Sequence, residues 1–181
     1  PTILIGCSGV PGTFTEPMIR EMAAHVERPV IFPLSNPTKN CEAHAADIVE
    51  WTDGQCLIAT GSPFDPVEHG DRTIHVSQGN NVYIFPGVGL GSLAVKATGV
   101  SDTMFTAAAK NLADQVSEDD LADGKLYPPL KDMRKITRSI AHAVARQAIK
   151  EGLAQVDDDA DVEALVDELI WEPVYPTLVP V

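Results

Sequence analysis

The chain has 181 residues, with 13 lysines and arginines against 26 aspartates and glutamates, and a formal net charge of −13 at pH 7. That length allows one domain with a sizeable core. The acidic balance argues against a nucleic-acid backbone as the main partner, and no apolar stretch is long enough to span a bilayer. Cys7, Cys41 and Cys56 are an odd count with no close pairing. This fits free thiols in a reducing cytosol rather than a disulfide framework, so a cytoplasmic protein is expected.

Thr2 to Gly6 is a short apolar run closed by Ser8-Gly9-Val10-Pro11-Gly12, which reads as a strand buried on both faces followed by a turn. The chain opens on this run without an initiating Met and is expected to begin inside a longer protein. Thr15 and Pro17 mark a helix start. Met18, Ile19, Met22 and Val26 form its apolar side, and Arg28-Pro29 ends it. Val30 to Leu34 is a second strand, terminated by Ser35-Asn36-Pro37-Thr38. Pro33 inside it points to an edge strand or a bulge. A helix is predicted from Cys41 to Trp51 with Ala45, Ile48 and Val49 inward. Cys41 and His44 form a C-x-x-H pair without the second pair that a structural zinc site needs. Cys56 to Ala59 is a third strand, ending at Thr60-Gly61-Ser62-Pro63. Strands alternating with helices of this length imply parallel βαβ units with right-handed crossovers.

A long polar loop follows and closes on Gln78-Gly79-Asn80-Asn81. Beyond it, Pro86 to Thr98 reads as a small, apolar helix whose glycines suit close approach of another backbone or a ligand. Ser101-Asp102 caps a helix from Thr103 to Val116, Glu118 to Ala122 forms a helical turn, and Tyr127-Pro128-Pro129 breaks the chain. Leu130 to Glu151 is a long helix with Met133, Ile136, Ile140, Val144 and Ala148 on its apolar face. Its basic residues, Lys131, Arg134, Lys135, Arg138, Arg146 and Lys150, read as a solvated face or as partners of acidic surface. Trp171 to Val181 reads as an extended arm. The predicted class is α/β: part of a Rossmann-like parallel sheet with flanking helices (residues 1–98), then a C-terminal helical region and arm (residues 99–181).

Ligands of an open parallel sheet bind outside the carboxyl ends of its strands. Here those ends read Gly6-Cys7-Ser8-Gly9, Leu34-Ser35-Asn36-Pro37 and Ala59-Thr60-Gly61-Ser62, joined by Gln78-Gly79-Asn80-Asn81. Turn chemistry accounts for any one of them; together they mark a candidate site. An asparagine amide donates to carboxylate oxygens and does not titrate, so Asn36 with Asn80 or Asn81 could hold a small acid near a hydride donor or acceptor. Other chemistries lack their residues. Gly6-x-x-Gly9-x-x-Gly12 is not the dinucleotide fingerprint, no phosphate-loop lysine is present, and Ser8 is not in a nucleophile elbow.

Four segments carry a family resemblance. Arg28 to Thr38 (RPVIFPLSNPT), Ala59 to Phe64 (ATGSPF), Gln78 to Gly87 (QGNNVYIFPG) and Gly124 to Leu130 (GKLYPPL) resemble the malic enzymes in order and spacing. The match covers nearly the whole chain and is close in the large-subunit type. The resemblance implies oxidative decarboxylation of L-malate to pyruvate and CO2, with NAD or NADP and with Mg2+ or Mn2+. It implies that Asn36 and Asn80 contact the substrate acid and that Asn81 lies next to the nicotinamide end, the division between the last two being open. It also implies that Gly6, Cys7, Ser8 and Gly9 lie along the cofactor. Only the C-terminal part of the family is matched. Its tyrosine acid, lysine base, three acidic metal ligands and glycine fingerprint lie upstream of anything present. The chain alone is therefore expected to be inactive, to work with a preceding part of the same chain, and to belong to a homo-oligomer with no nucleic-acid or membrane partner. The alternative class is a non-catalytic Rossmann-like nucleotide-binding or assembly module.

Overall fold

The structure, a computed structural model, describes residues 1–175. In it the chain divides into two compact units interleaved in sequence: Pro1–Tyr83 with Leu112–Met133, and Ile84–Asn111 with the chain from Arg134 onward. Among the described residues no helix is long and apolar enough to cross a membrane.

In the first unit, β1 (Ile3–Gly6), β2 (Val30–Pro33), β3 (Leu57–Thr60) and β6 (Val76–Gln78) form one parallel sheet in the order β1-β2-β3-β6. The helices α1 (Glu16–His25) and α2 (Ala45–Trp51) are the first two crossovers, as the alternating pattern requires. Their apolar residues meet the sheet: Ile19, Met22, Ala45, Ile48 and Val49 pack with Ile31 and Ile58 in one buried cluster. Burying the side chains of Ile19, Ile31, Ile48 and Ile58, all at 0% exposure, contributes roughly 1.5–3 kcal/mol each. The third connection departs from expectation. The polar loop folds into an antiparallel hairpin of β4 (Val67–His69) and β5 (Arg72–Ile74) and then adds β6 to the sheet. β6 has only Val76 as an apolar residue, too little pattern to announce a strand.

Pro33 lies in an interior strand, not at an edge. Leu34 N–H donates to Gly6 O at 2.9 Å, so the donor that Pro33 lacks would face β3. The β2–β3 bridges end at Ile31–Ile58, yet Pro33 O still accepts from Gly61 N–H at 3.3 Å, so the proline omits one ladder donor without parting the strands. The predicted helix start at Cys41 is also corrected. A single 3-10 turn spans Thr38–Asn40, the chain runs extended through Cys41, and α2 begins at Ala45. His44 caps it, its side chain accepting from Ala46 N–H at 3.4 Å. Glu42 is thereby left outside the helix and turned inward.

The helix α5 (Glu118–Ala122) also belongs to the first unit. In the second unit, α3 (Phe85–Ala94) packs against α6 (Met133–Lys150) through its glycines. A Cβ on Gly87 would lie 2.5 Å from Ile140 Cγ2, and one on Gly91 2.4 Å from Ala141 O, so the two backbones approach closely only because these residues are glycine. Helix α4 (Asp102–Ala113) buries Met104 and Ala108. The basic face of α6 is matched by acids further on: Arg134 pairs with Glu172 at 2.7 Å, Arg138 with Asp167 and Arg146 with Glu163. Two of these acids lie on α7 (Val162–Leu169), a helix the sequence reading does not anticipate, which Asp161 caps by accepting from Ala164 N–H at 3.1 Å. Of the predicted arm, Trp171 to Tyr175 lack helix or strand, and residues 176–181 lie outside the described residues.

Candidate functional site

Parallel pairing puts the carboxyl ends of β2, β3 and β6 on one edge of the sheet. There they enclose a cavity of about 510 Å3 lined by Leu34, Asn36, Gly61, Ser62 and the Gln78–Asn81 turn. Asn36, Asn80 and Asn81, far apart in sequence, thus share one cavity. The walls are tight because Gly61 lacks a side chain: a Cβ there would lie 2.1 Å from Leu34 O and 2.9 Å from Asn36 Nδ2. The turn of β6 is tied down, with Gly79 N–H donating to Thr60 O at 2.9 Å and Gln78 Nε2 to Gly61 O at 3.3 Å.

The asparagines are oriented by their own carbonyls. Ser62 Oγ donates to Asn36 Oδ1 at 2.7 Å, and Val82 N–H donates to Asn80 Oδ1 at 2.9 Å. With both oxygens committed to the protein, each side chain has its NH2 left to donate. No residue lining this cavity carries a titratable side chain. The cavity thus offers amide donors and no titrating group.

Gly6, Cys7, Ser8 and Gly9 do not line that cavity. Gly6 ends β1 and Cys7 to Gly9 form the turn after it, which a buried carboxylate ties to Ser35, between the cavity residues Leu34 and Asn36. Glu42, at 0% exposure, sits beneath the turn. Its Oε1 accepts from Ser8 N–H at 2.7 Å, from Ser8 Oγ at 2.8 Å and from Ser35 Oγ, and its Oε2 accepts from Ser35 N–H at 3.3 Å. Gly9 N–H in turn donates to Ser35 Oγ at 2.8 Å. Burial by itself would raise the Glu42 pKa. The hydrogen bonds from Ser35 and Ser8 outweigh it and hold the carboxyl at about 2. Gly6 is required by the same contact, since a Cβ would come within 2.7 Å of Glu42 and of Phe14. The N–H groups of Ser8 and Gly9 therefore point inward, while Cys7 and Gly9 stay exposed and Gly9 has φ +68°. Such a turn offers bare backbone to a flat group and no cradle of N–H donors for a pyrophosphate. Sequence reasoning misses Glu42, because an acid before a helix is normally solvated; its only signal is its place between Cys41 and Ala43, both buried.

Comparison with known proteins now adds what geometry does not. The family described as malic enzyme, NAD binding domain, matches residues 1–149. The chain belongs to the malic enzyme family. It is 48% identical over 175 residues to the NAD-dependent malic enzyme of Aliivibrio salmonicida, covering 97% of this chain. It is likewise 48% identical over 176 residues to NAD-dependent malic enzyme 1 of Vibrio vulnificus. It spans 31% of the length of these curated relatives. Among solved structures, the Entamoeba histolytica malic enzyme superposes on 92% of this chain with a TM-score of 0.74 at 28% identity, covering 31% of that chain. The Pyrococcus horikoshii malic enzyme does so with a TM-score of 0.69 at 27% identity, covering 34% of that chain. The parallel sheet with its flanking helices is thus the malic enzyme fold over the segment this chain represents. Among the described residues no three His, Cys, Asp or Glu side chains gather as a metal site.

Proposed function

We propose that this chain is the substrate-positioning part of a malic enzyme that oxidatively decarboxylates L-malate to pyruvate and CO2 with reduction of NAD. The observation that carries the reading is the pair of asparagines, Asn36 and Asn80, whose carbonyls are locked and whose NH2 groups are left to donate in one cavity. Malate presents two carboxylates and a hydroxyl, all acceptors at neutral pH, and neutral amides hold them without titrating. Holding C2 at a fixed distance from the nicotinamide is a large part of such catalysis. The nicotinamide, when bound, accepts the hydride. The turn Gly6 to Gly9 lies along that cofactor and Asn81 at its nicotinamide end. NADP is the alternative cofactor, and the NAD-dependence named for the relatives supports NAD.

The divalent ion, Mg2+ or Mn2+, has no ligand set among the described residues, so its ligands would come from elsewhere in the enzyme. Proton transfer likewise needs groups from elsewhere in the enzyme, because nothing lining the asparagine cavity titrates. The proposed arrangement is a C-terminal portion working with an upstream part of the same polypeptide, in a cytoplasmic homo-oligomer. The proposed division of the portion is residues 1–98 for the nucleotide-binding domain and 99–181 for the C-terminal helices.

The test is Asn36→Ala in the enzyme that carries this chain. It is expected to lower kcat/KM for malate about ten- to hundredfold while leaving the melting temperature within a few degrees, one lost hydrogen bond to a charged group being of that size. An unchanged kcat/KM removes Asn36 from the site. The isolated 181-residue chain is expected to give no malate-dependent reduction of NAD or NADP, and measurable turnover by the pure chain contradicts the assignment.

A further inference from the structure

The chain contains six arginines: Arg20, Arg28, Arg72, Arg134, Arg138 and Arg146. Four pair with a carboxylate, Arg20 with Glu16 at 2.7 Å and Arg134, Arg138 and Arg146 with Glu172, Asp167 and Glu163. Among the described residues Arg28 and Arg72 pair with none, in a chain with twice as many acids as bases. Both line the same cavity, of about 480 Å3. It lies at the opposite ends of the strands from the asparagines: Arg28 precedes β2, Gln55 precedes β3, and His75 immediately precedes β6.

Arg72 is oriented there by uncharged oxygens, with no carboxylate in salt-bridge contact among the described residues. Its Nη2 donates to the backbone carbonyl of Asp53 at 3.0 Å. With the Gln55 amide turned so that its oxygen faces the guanidinium, that oxygen accepts from Nη2 at 3.2 Å and Nη1 at 3.3 Å. The nearby carboxylates are engaged elsewhere: Asp53 Oδ1 with His69 Nε2 at 3.0 Å, and Asp123 with Lys125 at 3.2 Å. The wall is bare backbone where the guanidinium rests, since a Cβ on Gly54 would lie 2.9 Å from Arg72 Nη2 and Gly54 has φ +66°. Two guanidiniums without a salt-bridge partner in one concavity, Arg72 held by neutral carbonyls, make a local positive site on an acidic protein. Their planar forks match tetrahedral oxyanions in bidentate fashion.

We infer that this cavity binds a small phosphate-type dianion, gripped by Arg28 and Arg72 with His75 at its side. The inference stands on its own residues and does not depend on the malic enzyme reading. The test is titration of the 181-residue chain with inorganic phosphate at fixed ionic strength, followed through backbone amide 15N–1H spectra. Saturable shifts are expected at Gly54, Gln55, Arg72, His75 and Gly124, with sulfate competing and chloride not. Arg28→Gln and Arg72→Gln should each weaken binding about ten- to hundredfold, as loss of a charge-assisted contact does. Both side chains are exposed, so far-UV circular dichroism should not change. Arg28→Lys, keeping charge without the fork, should fall between. Absence of saturable shifts up to about 20 mM phosphate overturns the inference. So do shifts gathered at Asn36 and Asn80, or binding unaltered in the double Arg28→Gln, Arg72→Gln variant.

Discussion

Replacing Glu42 by glutamine isolates the charge at the centre of the strand-end network. The glutamine keeps the shape but has one acceptor oxygen, and its NH2 would face the donors of Ser8 or Ser35. The wild-type carboxyl sits at about 2 in the folded chain against an ordinary 4.5, which corresponds to about 3 kcal/mol of stability. The sign follows from the depressed value. The contribution is fully present above about 4.5, the pKa of the unfolded carboxyl, and is lost as pH falls through about 2. Urea unfolding at two pH values measures it. Wild type should exceed Glu42→Gln by about 3 kcal/mol at pH 7 and by only about 1 kcal/mol at pH 3. A gap of equal size at both pH values would assign the effect to packing. No gap at pH 7 would refute the claim that the ionised carboxylate holds the turn and β2 together.

Two further substitutions separate rigid from forgiving positions. Gly61→Ala places a methyl 2.1 Å from a backbone oxygen that cannot retreat, and should cost about 1–3 kcal/mol with a lower melting temperature; an unchanged value would mean β2 and β3 part freely. Arg146→Ala removes an ion pair with both side chains about half exposed, and should change stability by less than about 1 kcal/mol in thermal unfolding, a larger loss showing that α7 depends on that pair.

Much of the fold was legible because it is written in apolar runs. Val30 to Pro33 and Leu57 to Thr60 read as buried strands, and the parallel pairing follows from the helices between them; Ile3 to Gly6 is a strand as expected but not buried on both faces, because β1 is the sheet edge and Ile3 and Ile5 are exposed. The convergence of Asn36 with Asn80 and Asn81 was legible for the same reason: parallel strands deliver their carboxyl ends to one edge. Where side chains take their positions from partners distant in sequence, the reading failed. β6 is a strand because β3 offers it a ladder, not because Val76-Ser77-Gln78 alternates. Glu42 is buried because four donors from two other segments meet it. α7 does carry a signal, Val162, Leu165, Val166 and Leu169 at helical spacing, but it is short and follows directly on the acidic run Asp157-Asp158-Asp159. The C-x-x-H pair dissolved for a structural reason: Cys41 is buried against carbonyls, its Sγ 3.2 Å from Ala43 O and 3.4 Å from Pro33 O, while His44 is spent as a cap.

The turn that bears Asn80 is fastened on both sides. Before it, Gly79 N–H is bonded to Thr60 O at 2.9 Å. After it, the buried Tyr83 hydroxyl donates to Pro128 O at 2.7 Å and its ring stacks on Tyr127 at 5.2 Å. A ligand arriving at Asn80 meets an amide already immobilised, so little ordering entropy is left for association to overcome. Discrimination at this edge then comes from fit to a preformed frame, and a ligand longer or shorter by one carbon cannot recover its contacts by drawing the turn toward itself.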